Sequence, residues 1–329
     1  MMTEQKIQLG DQSIVCKPDE TLLDALLREN VDISHSCHQG ACQSCMLRSL
    51  DGIPPVEAQH GLKEGLKKQN YFLACLCYPQ QAMRIAHRHH TDFMTHGTVI
   101  AKQALNAETL LLTLELDEPM DYYAGQFVNL QRDDGLSRSY SIANNRIHSK
   151  QLSFHIRRLA GGRFSAWAHE DLNLGDRLAV SEAQGLCYYL PDKPESPLLL
   201  IGTGSGLAPL AGIISEALHQ GHKGDIYLYH GSRDLNGLYW VEEMQALAEK
   251  HANFHYSPCI SSGEPPEHVF AGRANDVAFS QLTNLKGFRI YLCGHPDMVN
   301  NTKRQAFLKG AALADIYADA FHVASASLE

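Results

Sequence analysis

The 329-residue sequence has no apolar run approaching the roughly 18 residues that span a bilayer, so insertion into a membrane is not expected. Nothing near Met1 resembles a secretory signal, which points to a reducing, cytoplasmic setting rather than an oxidising one. Basic charge is in short supply. Twenty-eight Lys and Arg face 37 Asp and Glu, and the net charge of −9 argues against nucleic acid or an anionic surface as the main partner. Internal repeats are absent, and no pair of carboxylates or histidines stands out as an acid–base dyad. With 44% hydrophobic and 20% charged residues, the chain reads as a globular protein long enough for two or three domains. It does not lack cysteine. There are nine, an odd number that complete disulfide pairing would not use up.

Five of the nine fall between Cys37 and Cys77. Cys37, Cys42 and Cys45 form a C-x4-C-x2-C pattern, and 29 residues separate Cys45 from Cys75. Thiolates at this spacing are the plant-type pattern for a [2Fe–2S] cluster. The small residues Gly40, Ala41 and Ser44 let a loop turn its amides towards the sulfides. Zinc is an alternative, but it normally takes two CxxC-like pairs, and here one CxxC faces a CxC; four ordinary buried thiols are another. Cys75 suits the usual gap for the fourth ligand, and Cys77 also lies within reach. Upstream, Lys6–Leu9 and Ser13–Cys16 alternate as a hairpin about Gly10-Asp11. Thr21 caps a predicted helix over Leu22–Glu29 with one apolar face.

The histidine-rich stretch 86–91 reads as a solvated linker. Beyond Gly97, short β-like runs at 98–100, 109–116, 126–131, 139–143 and 152–157, separated by turn signals, suggest a small antiparallel barrel. After Pro197 the texture changes. Leu198–Ile201 is a continuous apolar run, as in a strand buried on both faces, and predicted helices at 208–219 and 240–251 alternate with strands near 225–230, 254–257 and 289–292. That alternation predicts a doubly wound parallel sheet.

Two stretches suit phosphate. Gly202-Thr203-Gly204-Ser205-Gly206 joins the buried strand to a helix, where free amides and a positive dipole end await an anion. Gly161-Gly162-Arg163-Phe164-Ser165 opens a second helix. Arg138, Ser139, Tyr140 and Ser141 put a guanidinium, a ring and a hydroxyl on one short strand; Arg138 and Tyr140 share a face and Ser141 takes the other. A surface arginine beside a half-buried tyrosine would look the same.

Together these motifs resemble the ferredoxin–NAD(P) reductase superfamily, in particular the three-domain [2Fe–2S]/FAD/NAD(P)H reductase components of bacterial oxygenase systems. The resemblance spans essentially the whole chain. It implies an α+β plant-type ferredoxin domain over 1–91, an antiparallel β-barrel FAD domain over 95–192 and an α/β doubly wound nicotinamide domain over 196–329. Cys37, Cys42, Cys45 and Cys75 would hold the cluster. Arg138 would bind the FAD pyrophosphate, Tyr140 stack on the isoalloxazine and Ser141 approach its N5, with Gly162 and Ser165 at a second FAD phosphate contact. Gly202, Thr203, Gly204 and Gly206 would take the NAD(P)H pyrophosphate. Cys293, in Cys293-Gly294-His295-Pro296, would lie by the nicotinamide, and Phe321 would shield the flavin. Arg233 suits a 2′-phosphate and Asp234 a ribose hydroxyl, and the resemblance favours NADH over NADPH. Three positions depart from the pattern: His38 stands where such domains often carry arginine, Glu182–Gly185 replaces a Gly-Pro-x-Gly turn, and eight residues follow Phe321. The implied activity is electron transfer from NADH through FAD and the cluster to a terminal oxygenase that hydroxylates aromatics or alkanes. Two alternatives are the reductase of a sugar-deoxygenating dehydratase and a redox-sensing regulator. A monomer is expected.

Overall fold

Alternation of Ile7, Leu9, Ile14 and Cys16 with polar neighbours builds the first hairpin: β1 (Gln5–Leu9) and β2 (Gln12–Cys16) pair antiparallel, with Ile7 opposite Ile14. In α1 (Leu22–Arg28) the Thr21 hydroxyl accepts the Asp24 amide at 3.1 Å, and Leu22, Leu23, Ala25 and Leu26 are buried. Three more strands, β3 (Met46–Ser49), β4 (Tyr71–Leu73) and β5 (Met83–His87), complete a sheet of order β2-β1-β5-β3-β4. The computed structural model describes residues 4–321 apart from 32, 34, 36–37, 41–42, 44, 63–65, 68, 88–93 and 148–149.

One expectation is corrected here. Ala86 and His87, read as the start of a linker, pair with Arg48 and Leu47 as the end of β5. Met83 and Ile85 face the core, Arg84 faces solvent and His87 is exposed at the strand's end, so the polar residues belong to a strand with one wet face. Positions 88–91 of that stretch lie outside the described residues.

The chain divides into two compact units, 1–93 and 94–329. In the second, β6 (Thr95–Ala104), β7 (Thr109–Leu116), β8 (Phe127–Gln131), β9 (Ser137–Ser141), β10 (Gln151–Arg157), α2 (Arg163–Glu170) and β11 (Arg177–Val180) form an antiparallel sheet of order β10-β7-β6-β11-β8-β9. Its two ends meet: Ile142 bridges Phe154, and the Ala143 amide donates to Ser153 O at 2.8 Å, which closes a barrel. The Glu182–Gly185 segment adopts a local bridge, with Gln184 paired to Phe127.

A parallel sheet follows, built from β12 (Leu198–Thr203), α3 (Leu207–His219), β13 (Ile226–Ser232), α4 (Val241–Lys250), β14 (Phe254–Ile260), β15 (Phe270–Ala271), α5 (Ala274–Gln281), β16 (Arg289–Gly294), α6 (Pro296–Leu308) and β17 (Ile316–Ala320). Its order is β15-β14-β13-β12-β16-β17. The strand order reverses between β12 and β16, so a crevice opens at their carboxyl ends. The barrel and this sheet belong to one unit because they share polar and apolar contacts; Asn145 donates to Ser215 at 2.9 Å, and Arg146 pairs at 3.3 Å with the nearly buried Glu216. Helices α5 and α6 carried no strong sequence signal, since α6 buries only Val299, Thr302 and Ala306.

Candidate functional site

In the first unit Cys45 precedes β3, and Cys75 sits in a 3₁₀ turn over Ala74–Leu76. The Ala74 amide donates to Cys45 O at 3.0 Å, which holds the two cysteine positions together. His38, Gly40 and Gln43 all have positive φ, and Gly40 packs so closely on Leu76, beside Cys75, that an added Cβ would lie 2.6 Å from its Cδ1. Gln43 anchors the loop by donating to Gly61 O at 3.1 Å. Cys77 is fully buried in the core, and its carbonyl accepts the Leu22 amide at 2.8 Å. Cys37 and Cys42 lie outside the described residues, as do Ala41 and Ser44.

In the second unit a cleft of about 1600 Å³ runs between the barrel and the crevice of the parallel sheet. Arg138, Tyr140 and Ser141 of β9 line it from the barrel, with Gly162 and Ser165 at the start of α2. The Arg138 guanidinium donates to Ser137 O at 2.7 Å and lines the cleft. The Tyr140 ring leans on Phe164 at 5.4 Å, and burial pushes its phenol up. The Ser165 hydroxyl already accepts from the Leu159 amide and donates to Gly162 O, both at 3.1 Å, so it shapes the turn that exposes the α2 amides.

From the opposite wall come Thr203, Gly204 and Ser205, then Arg233 and Asp234, then Gly294 and His295. The Asp234 carboxylate also accepts the Asn236 amide at 3.1 Å, which fixes it at the cleft edge. Gly202 and Gly206 do not face the cleft. A Cβ on Gly206 would strike the Cys293 carbonyl, with its carbon only 2.6 Å away, so this glycine lets the turn after β12 press against the end of β16 rather than approach a ligand. Cys293 is likewise turned inward. Its thiol is fully buried 3.6 Å from the Cys187 sulfur, and burial and then Cys187 push it up, so Gly294 and His295 take the cleft-facing place expected of it.

Three family models cover the chain in order: a 2Fe-2S iron-sulfur cluster binding domain over residues 6–80, an oxidoreductase FAD-binding domain over 96–189 and an oxidoreductase NAD-binding domain over 200–304. The ferredoxin–NAD(P)+ reductase component of the naphthalene 1,2-dioxygenase system of Pseudomonas putida is 31% identical over 97% of this chain and 98% of its own. The chain belongs to the ferredoxin–NAD(P) reductase superfamily. The reductase subunit of an Amycolatopsis aromatic O-demethylase is 33% identical over 89% of this chain and 91% of its own. A crystal structure of an Amycolatopsis cytochrome P450 reductase superposes with a TM-score of 0.67 at 30% identity, covering 98% of this chain and 100% of that one.

This reductase therefore uses a [2Fe–2S] cluster, FAD and NAD(P)H, each matched to one domain. The residues present fit them: adjoining cysteines and a left-handed loop in the first unit, and two phosphate-ready helix starts facing one cleft in the second. Among the described residues no helix is long and apolar enough to cross a membrane.

Sequence reasoning missed several cleft residues. Asp319, near the end of β17, lines the cleft from the nicotinamide half as Ser141 does from the barrel, and desolvation pushes its carboxyl up. Arg157, paired with Glu108 at 3.0 Å, lies beside Gly204. Their signals are single polar residues at strand ends, which only the folded chain brings to the cleft.

Two buried imidazoles near the cleft should make the reductase acid-sensitive. His155 is pushed down to about 3 by burial and then by His230, and His230 to about 4 by burial. Unfolded histidine protonates near 6.5. Both folded values are depressed, so stability present above about 6.5 is lost as pH falls towards 4, at up to about 3 kcal/mol per pH unit for the two. Urea titrations followed by flavin release should show the midpoint falling between about pH 7 and pH 5.5, and His230→Gln should roughly halve that fall. An unchanged slope in the variant would count against this origin.

Proposed function

We propose that the protein moves electrons from NADH through FAD to its [2Fe–2S] cluster and on to a terminal oxygenase that hydroxylates aromatic or alkane substrates. The observation that carries this reading is the single cleft shared by the barrel strand bearing Arg138, Tyr140 and Ser141 and by Asp319 on the last strand of the nicotinamide half. Relatives whose names place them in naphthalene, terephthalate and phenol oxygenation systems support the acceptor class.

In this reading residues 1–91 are the cluster domain, 95–192 the FAD domain and 196–329 the nicotinamide domain. Cys37, Cys42, Cys45 and Cys75 hold the cluster, and the buried Cys77 serves the core. Arg138 neutralises the FAD pyrophosphate, Tyr140 packs on the flavin ring, and Gly162 and Ser165 present the α2 amides to phosphate. Thr203 and Gly204 receive the NADH pyrophosphate, while Gly202 and Gly206 hold that loop against β16. Asp234 accepts from the adenosine ribose and disfavours a 2′-phosphate, with Arg233 beside it. Cys293 backs the nicotinamide pocket from behind Gly294. Held by Arg138, Tyr140, Gly162 and Ser165, FAD would supply the exchange between the two-electron chemistry of NADH and the one-electron chemistry of a [2Fe–2S] cluster. The protein aligns and excludes water: Ser141 offers its hydroxyl at the reacting edge, and Phe321, tied by its amide to Gly294 O at 2.8 Å, covers it. The protein works as a cytoplasmic monomer.

The test is purified holoprotein with NADH and cytochrome c, then reconstitution with an oxygenase. NADH oxidation coupled to cytochrome c reduction is expected, with a kcat/KM for NADH well above that for NADPH. Failure to oxidise either coenzyme with FAD and cluster in place would sink the reading. Residues 1–90 carry 9 basic and 10 acidic side chains, so transfer from this nearly neutral unit to the oxygenase should slow only weakly with added salt. A steep decline would reveal a local charge patch.

A further inference from the structure

Behind the nicotinamide loop lies a buried polar cluster that the relay as described does not use. Tyr239, just before α4, is fully enclosed, with the rings of His155 and His230 edge-on to it at 5.3 and 5.5 Å. Its hydroxyl stands 3.0 Å from His155 Nδ1, on barrel strand β10, and 3.3 Å from the carbonyl oxygen of Gly204, in the loop after β12. Three segments of the second unit thus meet at one oxygen.

A phenol has a single proton to donate, and this decides the arrangement. Given to Gly204 O, it leaves the phenol oxygen free to accept from His155, which then carries its proton on Nδ1. Both contacts are satisfied, and His155 Nε2 is left as a bare acceptor, in keeping with its burial without a partner among the described residues. Given instead to His155, the proton is lost to Gly204 O, and Nε2–H becomes a buried orphan donor, the costlier defect. Gly204 O also accepts the Leu207 amide at the start of α3, so two donors pin this carbonyl inward.

Pinning the carbonyl has a consequence across the peptide plane. The bond is trans, so the amide of Ser205 points away from the Gly204 carbonyl, and Ser205 lines the cleft. The left-handed φ of +55° at Gly204 is what permits this orientation. We propose that Tyr239 is a positioning residue for the dinucleotide: its hydroxyl, oriented by His155, locks the Gly204–Ser205 peptide so that the Ser205 amide faces the pyrophosphate of NADH. The latch rests on the nicotinamide assignment above and adds the element that aims the phosphate loop. Because His155 belongs to the barrel, the latch also ties the loop to the half that holds the flavin.

The test compares NADH with 1-benzyl-1,4-dihydronicotinamide, a hydride donor without a pyrophosphate, on FAD- and cluster-loaded protein. Tyr239→Phe should raise KM for NADH roughly five- to tenfold with kcat little changed, and leave kcat/KM for the benzyl compound unaltered. His155→Leu, which strips away the donor that orients the hydroxyl, should shift KM for NADH in the same sense by less; it takes over the comparison if Tyr239→Phe fails to hold FAD. Equal losses with both donors, or no change with NADH, would overturn the latch. Wild-type protein that oxidises the benzyl compound but not NADH would overturn the nicotinamide assignment itself, and the latch with it.

Discussion

Cys75→Ser should abolish the visible [2Fe–2S] absorption and reduce NADH-dependent cytochrome c reduction to background, while Cys77→Ser leaves most of both. The difference rests on placement. Cys75 lies on a turn tied to Cys45 by the 3.0 Å Ala74–Cys45 bond, whereas Cys77 has no exposed surface and sits where the chain supports α1. Serine at a ligand position replaces a soft thiolate with a hydroxyl that iron–sulfur clusters rarely accept. Serine at Cys77 buries a hydroxyl in an apolar core, a penalty of roughly 1–3 kcal/mol to the first unit that leaves the donor set intact. FAD should remain bound in both variants, since its cleft lies within residues 94–329. Direct reduction of a flavin-accepting dye by NADH should therefore persist in Cys75→Ser. A cluster that survives Cys75→Ser and disappears in Cys77→Ser would reverse the ligand assignment.

Gly206→Ala should be nearly as damaging to the second unit. The added Cβ would overlap the Cys293 carbonyl and lie 3.0 Å from Gly294 Cα, and all of these atoms belong to the backbone of a fully buried strand. No side chain there can swing aside, so the turn that carries Gly206 must back away from β16. Overpacking of this kind reaches about 3 kcal/mol, or roughly 6–12 °C in Tm for a unit of this size. NADH oxidation should fall with it, because the same displacement moves Gly204 and Gly294 at the cleft wall. The first unit's cluster spectrum should be untouched. A variant with wild-type Tm and KM would show that the turn and β16 have slack the packing does not suggest.

These two substitutions mark different degrees of legibility. The cluster pattern could be read directly, because four thiolates around one small inorganic core must come from a loop of narrow spacing and a short return, and local sequence carries that constraint. The barrel and the parallel sheet were readable for a similar reason: period-two alternation and the apolar run Leu198–Ile201 report burial along a single strand. Helix α6 was not, since its buried face holds one valine, one threonine and one alanine among polar residues. Nor was the strand character of Ala86 and His87, whose polarity reads as a linker until Arg48 and Leu47 are seen beside them.

Glycines in the nucleotide loop divide in the same way. The sequence by itself determined that a glycine-rich turn joins a buried strand to a helix, that cysteines at cluster spacing precede it, and that Arg138, Tyr140 and Ser141 share a strand, because each is a property of neighbours along the chain. Only the tertiary structure decided that Gly206 fits its turn against β16 while Gly204 turns towards the cleft, that the Cys293 thiol faces Cys187, that Asp319 lines the same cleft as Ser141, and that Tyr239 reaches Gly204. Each of those outcomes depends on atoms far apart in sequence brought within a few ångströms, and no periodicity along one segment encodes which way a side chain or a carbonyl will turn when they meet.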